Sequence, residues 1–261
     1  MKVSLLGTGT STGVPQVGCN CRTCMSKDPR DKRLRCSALV EIDDKKAVDG
    51  TTRILIDCSP DFRYQVLRDG FKRLDAVIVT HEHYDHVGGI DDLRPYSVYG
   101  DLTIYADPFC AKHLMERIPY CFTPKDRRYP GVPAIDLEPV EPGTTIKVNS
   151  VEIQTLKVMH GKLPIMAYRI GPLGYVTDMK TIEPRQKKVL EGITHLVVNG
   201  LRHVFHPTHQ TIEEAIEFAD SLNVKEAYII HTNHHIAPHA EEMQNLPPHR
   251  HLAYDQMTFN I

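Results

Sequence analysis

Short apolar runs rich in Val, Ile and Leu recur from one end of the chain to the other. VSLLG, SALVEI, RILID, DAVIVT and LTIYA fall in the first half, and VEIQTLKV, IMAYRI, YVTD, HLVVNG and EAYIIH in the second. Each has the length and β-branched content of a strand. Between them, SPDFRYQVLRDG, IDDLRPYSVYG and HQTIEEAIEFADSL carry helical spacing, the last with acids in its first turn. Strands and helices recur in both halves without a composition break, a low-complexity tract or a strong internal repeat. The Pro-rich TPKDRRYPGVPAIDLEPVEPG reads as a long loop between the halves. The pattern predicts one α/β domain over residues 1–261.

With 261 residues, 41% hydrophobic and 25% charged, the chain is long enough for a single well-buried core. The opening MKVSLLGTGTSTG turns polar and glycine-rich after a few residues, unlike a secretory signal. No stretch approaches the roughly 20 apolar residues of a membrane span. These features predict a cytoplasmic protein without membrane contact. In a reducing compartment, close-set cysteines bind metal or do redox chemistry rather than form disulfides. A net charge of -2 and a pI near 6.7 give no global attraction to nucleic acid or anionic lipid, so a nucleic-acid partner is not expected. The segment Gly7–Gly13, GTGTSTG, matches no phosphate-loop pattern and has no following Lys, so it reads as a turn leaving the first strand.

Fifteen histidines are the unusual count, and they bear on function where they fall at ligand spacing. In DAVIVTHEHYDHVGG, a strand-like run leads into His81, His83, Asp85 and His86. On an extended chain His81 and His83 share a face, and a turn into helix near Asp85 would swing Asp85 and His86 toward a second ion. Imidazole with carboxylate suits zinc, manganese or iron. HEHYDH matches the HxHxDH signature, and here the chain resembles the metallo-β-lactamase superfamily. Further matches follow in order: Asp57 in ILIDCSP, His160 in LKVMHG, Asp178 in YVTDM and His231 in AYIIHT. The resemblance implies a four-layered αββα sandwich with two divalent metals, zinc or manganese, at one edge of its two sheets. It implies that His81, His83 and His160 hold one metal, that Asp85, His86 and His231 hold the other, and that Asp178 bridges them. Asp57 then organises the ligands through hydrogen bonds.

Two ions about 3.5 to 4 Å apart can lower the pKa of a bridging water and stabilise attacking and leaving oxygens, which is equipment for hydrolysis. The second motif position is His83, not the Glu of the superfamily's oxygen-reducing branch. The bridging position is Asp178, not the Cys of true β-lactamases. In HPTHQTIEEA, His209 and Thr211 resemble the HxT motif of the superfamily's phosphodiesterases. A His209 near its ordinary pKa could protonate a leaving oxygen, so His209 and Asp85 are the catalytic candidates. Thr211 and Glu213 also suit a helix N-terminus, and Arg202 and His206 read as parts of a solvated loop.

Cys19, Cys21 and Cys24 form a CxCx2C knuckle one donor short of a tetrahedral zinc site. With it the resemblance narrows to PhnP-type phosphodiesterases. That implies a structural zinc whose fourth ligand is His234, three residues after His231, with His235 as the adjacent alternative. Such a zinc would staple the N-terminal loop beside the active site. Cys36, Cys58, Cys110 and Cys121 lack ligand spacing and read as buried thiols. The expected function is hydrolysis of small, cyclic or nucleotide-like phosphodiesters by a hydroxide bridging two metals, in a chain free to form a homodimer. A tRNA 3′-processing nuclease and a non-catalytic, metal-bound PqqB-like carrier are the alternatives. No long basic, Gly/Pro-rich arm of the kind that grips tRNA is evident.

Overall fold

The computed structural model describes residues 1–261. Along the chain the strands are β1 (Lys2–Gly7), β2 (Ser37–Asp43), β3 (Thr51–Ile56), β4 (Ala76–Ile78), β5 (Leu102–Ala106), β6 (Ile135–Pro139) and β7 (Thr145–Val148). They continue with β8 (Val151–His160), β9 (Leu163–Ile170), β10 (Leu173–Val176), β11 (His195–Asn199), β12 (Glu226–Ile230), β13 (Arg250–Leu252) and β14 (Met257–Asn260). The helices are α1 (Arg22–Met25), α2 (Phe62–Asp69), α3 (Tyr84–Val87), α4 (Pro108–Arg117), α5 (Pro184–Lys187), α6 (Ile212–Asp220) and α7 (His239–Asn245). Two seven-stranded sheets result, in the orders β14-β1-β2-β3-β4-β5-β6 and β13-β12-β11-β10-β9-β8-β7.

Alternate residues of the central strands face different apolar layers, because side chains of a strand point in turn to either face. Ile54, Ile56 and Ile78 of the first sheet meet Ile153, Tyr168, Val197 and Ile230 of the second in a cluster of 22 buried residues. Leu55, Val77, Val79 and Ile104 face outward onto Phe62, Leu93 and Leu114. Leu196 and Val198 face outward onto Ala215, Phe218 and Ala219 of α6. Helix, sheet, sheet and helix thus form the αββα sandwich. Each fully buried aliphatic side chain of these layers contributes about 1.5 to 3 kcal/mol relative to exposure.

Two predicted elements differ. IDDLRPYSVYG forms a 3₁₀ run, Ile90–Tyr99, with Pro95 inside it; proline lacks the amide that a continuing α-helix needs. The Pro-rich stretch is not all loop, since β6 pairs in parallel with β5. It lies at the sheet edge, where a proline withholds no donor from a further strand. In the centre, β3-β4-β5 and β10-β11-β12 run parallel, and ligand sites form beyond the carboxyl ends of such strands. GTGTSTG lies where the two sheets are tied together: Gly9 bonds Leu34 and Thr10 bonds Thr232. A Cβ on Gly7 would lie 2.0 Å from the Arg35 carbonyl oxygen, so that close approach requires glycine.

Candidate metal centre

The chain leaves β3, β10 and β12 through residues bent into the left-handed region, with φ of 59° at Asp57, 55° at Asp178 and 58° at His231. That conformation costs a side-chain-bearing residue roughly 1 to 2 kcal/mol. Such strain persists where the surroundings over-determine it, and it concentrates at functional sites. Past β4, His83 is extended at φ −62° and ψ 145° and starts α3, which carries Asp85 and His86. The extended-then-helical path expected from HEHYDH is therefore present.

Hydrogen bonds orient the rings. Asp57 is fully buried; its Oδ1 accepts from the Thr80 amide at 2.7 Å and its Oδ2 from the Thr80 hydroxyl at 2.9 Å. The hydroxyl proton is thereby committed, and His81 Nδ1, 3.1 Å from Thr80 Oγ1, donates to it. His86 Nδ1 donates to Asp57 Oδ2 at 2.7 Å. His160 Nδ1 donates to the carbonyls of Asp178 and Thr208, each at 2.9 Å. The network thus commits an Nδ1 proton of all three rings to the protein and leaves Nε2 as the atom that would meet a metal. Thr80, which the sequence reading passed over, is the hinge of this arrangement. Its only sequence signal is its position just before HEHYDH.

The donors fall into groups within 4.8 Å: His81 with His83 and His160, and Asp85 with His86, Asp178 and His231. Asp178 reaches from one to the other. Its Oδ1 is 3.4 Å from His86 Nε2, and its Oδ2 is 3.3 Å from His231 Nε2 and 3.9 Å from His81 Nε2. His86 Nε2 is buried without a hydrogen-bond partner, facing Asp85 at 3.3 Å and Asp178 at 3.4 Å. A lone pair set there would repel both carboxylates, so a cation belongs between them, either a proton on Nε2 or a metal ion. Burial by itself would raise Asp178, yet His231 and His86 hold it well below the usual carboxylate range. Burial is likewise overcome at His86, which Asp178, Asp85 and Asp57 hold well above the imidazole range. The donor set and this negative potential fit two divalent cations.

His209 joins a third group with His160 and Asp178. Its Nδ1 is 3.8 Å from Asp178 Oδ2, and its ring stacks on His231 at 4.9 Å. The expectation of an ordinary pKa fails. Burial, reinforced by His231, His160 and His206, outweighs Asp178 and pushes the ring down to about 3, so it is neutral at pH 7. Thr211 takes the helix-start role: its hydroxyl accepts from the Glu214 amide while Glu214 accepts from the Thr211 amide. Glu213 instead pairs with His203.

Cys19, Cys21, Cys24 and His234 form a separate group. His234 Nδ1 lies 3.1 Å from Cys19 Sγ and 3.5 Å from Cys21 Sγ, close to the roughly 3.6 Å edge of a tetrahedron with zinc–ligand bonds of about 2.1 to 2.3 Å. His235 points elsewhere, exposed to solvent. Burial raises the Cys24 thiol to about 11. At Cys21, burial is outweighed by the Cys24 amide and His234, and the thiol falls to about 6. These donors fit a zinc ion. Cys36, Cys58, Cys110 and Cys121 are buried and belong to none of the donor groups.

Comparison with known proteins agrees with this architecture. A chain described as a new diphosphatase from the PhnP family superposes with a TM-score of 0.88 at 34% identity, covering 100% of this chain and 97% of that one. Zinc-bound PqqB from Methylobacterium extorquens shares the fold, with a TM-score of 0.79 at 18% identity over 100% of both chains. An octanoyltransferase of Porphyromonas gingivalis is 45% identical over 256 residues, 98% of this chain and 50% of that protein; the chain therefore spans half the length of this relative. No helix is long and apolar enough to cross a membrane. The model of the β-lactamase superfamily domain matches residues 52–232, a stretch that includes both histidine groups and stops short of the knuckle's Cys19 and His234. With more than half of its length in that match, the chain belongs to the metallo-β-lactamase superfamily and is PhnP-like.

Proposed function

We propose that the protein is a dinuclear metal-dependent phosphodiesterase acting on small phosphodiesters. The observation that carries this reading is the placement of His209 against Asp178, beside both donor groups. Its support is the whole-chain likeness to a PhnP-family diphosphatase. His81, His83 and His160 would hold one ion, and Asp85, His86 and His231 the other, with Asp178 shared. When bound, such a pair supplies a water of lowered pKa and charge stabilisation at phosphate oxygens. Asp85, held well below the carboxylate range by His86 and His231 despite burial, stays ionised and orients the attacking water as an acceptor. His209 gives an N–H to the phosphate or to the departing oxygen, and the arriving anion is the neighbour that raises its proton affinity.

The knuckle would hold a third, structural ion. It ties α1 to the loop after β12, where Thr23 Oγ1 also donates to the Ile236 carbonyl at 2.6 Å.

The test is turnover of the zinc- and manganese-loaded protein on a phosphodiester, a phosphomonoester, a lactone and an octanoyl thioester. The thioester is included because of the octanoyltransferase relative. Cleavage of bis(p-nitrophenyl) phosphate above the others is expected. Thioester or lactone cleavage with no diester cleavage would replace the reading.

A further inference from the structure

The loop between β11 and α6 has a pinned inner half and an exposed tip. The Thr208 carbonyl accepts from the His160 ring, and the Gln210 amide bonds the Met179 carbonyl at 3.2 Å. Gly161 comes so close that a Cβ there would lie 2.8 Å from Thr208 Cγ2. At the tip, Phe205 is 66% exposed and yet has a fixed seat. Lys180 Nζ lies 4.6 Å from its ring centroid and is held by both Glu214 oxygens, at 2.9 and 2.8 Å. Arg202 spans the base of the tip, donating to the Val204 carbonyl at 3.2 Å and the Phe205 carbonyl at 3.4 Å.

His206 follows directly. Its Nδ1 accepts from Thr208 Oγ1 at 3.2 Å, which leaves its Nε2–H to donate outward. Its ring lies 5.0 Å from that of His209. His206 therefore adjoins an aromatic face open to solvent on one side and His209, beside the metal centre, on the other. A single exposed apolar residue is ordinary on a protein surface. Here the ring is seated on a cation, carried on a braced loop and adjoined by an unspent N–H donor. That arrangement suits a ligand in which a planar π-system is joined to a phosphate.

We propose that Phe205 and His206 form a nucleotide-recognition subsite: the base stacks on Phe205, His206 Nε2–H donates to a phosphate oxygen, and Arg202, which has no carboxylate partner, adds positive charge. The proposal rests on the phosphodiesterase reading and narrows it to base-bearing substrates.

Binding of adenosine monophosphate and ribose 5-phosphate to the zinc-loaded full chain, measured by titration calorimetry, tests it without requiring turnover. The expected preference for the nucleotide is about 5- to 140-fold, the range that base–aromatic stacking supplies. Phe205→Ala abolishes that preference while leaving ribose 5-phosphate unchanged, Phe205→Trp restores it, and His206→Ala weakens both ligands alike. Equal binding of the two ligands to the unmodified protein, or equal losses for both in Phe205→Ala, would overturn the subsite. Diester cleavage without a nucleotide preference defeats the subsite alone. A Phe205-dependent preference without diester cleavage defeats the phosphodiesterase reading and leaves the subsite standing.

Discussion

At Asp57 one carboxylate orients two rings on different elements, His86 directly and His81 through Thr80. Asp57→Asn would turn an amide N–H toward a position where the Thr80 amide or His86 already donates. We expect it to weaken metal retention about 10- to 100-fold, as loss of a partner behind a ligand typically does. Competition against a chelator measures this, and unchanged retention would refute the role. His209→Ala should lower turnover by about 10² to 10³ fold with metal content intact. The loss should be larger for an alkyl diester than for p-nitrophenolate release, because the better leaving group needs less help. Equal losses would assign His209 to phosphate binding instead. The donor residues were legible in the sequence because their spacing survives translation into geometry. The neutrality of His209 was not, since it depends first on burial and then on His231, His160 and His206, which come from the end of β12, from β8 and from the same loop.

Elements enter through the knuckle and through α7. Metal binding contributes to folding free energy, so Cys21→Ser should release one zinc per chain and lower the melting temperature; full zinc content with unchanged melting would contradict this. At the start of α7, His239 is 3% exposed, with Nδ1 3.3 Å from Arg33 Nη2 and its amide on Asp31. Burial, then Arg33 and Arg30, push its pKa down to about 4 against Asp31 and Asp28. The folded protein keeps this ring neutral, while the unfolded chain protonates it below about 6.5. Between those values unfolding takes up a proton, so stability falls as pH falls from 6.5 toward 4. His239→Gln should shrink the difference in urea midpoint between pH 7 and pH 5, and an unchanged difference would remove His239 from the account. The knuckle was half legible: three cysteines in sequence announce a missing donor, but only the fold selects His234 over His235. β6 was not legible, because Pro139 and its proline-rich surroundings mimic a loop and only an edge position accommodates them.

For the whole molecule, two layers of parallel strand ends bring Asp57, His81, Asp178 and His231 together from positions far apart in sequence. The strand pattern was readable because both faces of each central strand are apolar. The four-layered αββα arrangement was supplied by the family resemblance, and the pairing order of the two sheets by neither the resemblance nor the pattern. The central claim is that the assembled donors hold two ions that do phosphodiester chemistry, with a third ion in the knuckle. The most direct measurement is reconstitution: chelator-stripped protein is titrated with zinc or manganese while bound metal and bis(p-nitrophenyl) phosphate cleavage are followed together. The account predicts about three ions per fully loaded chain, four donors for one and seven for two, with diesterase activity appearing as the two-ion centre fills. Full activity in the stripped protein, or a chain saturated by a single ion with its cysteines freely titratable, would contradict it.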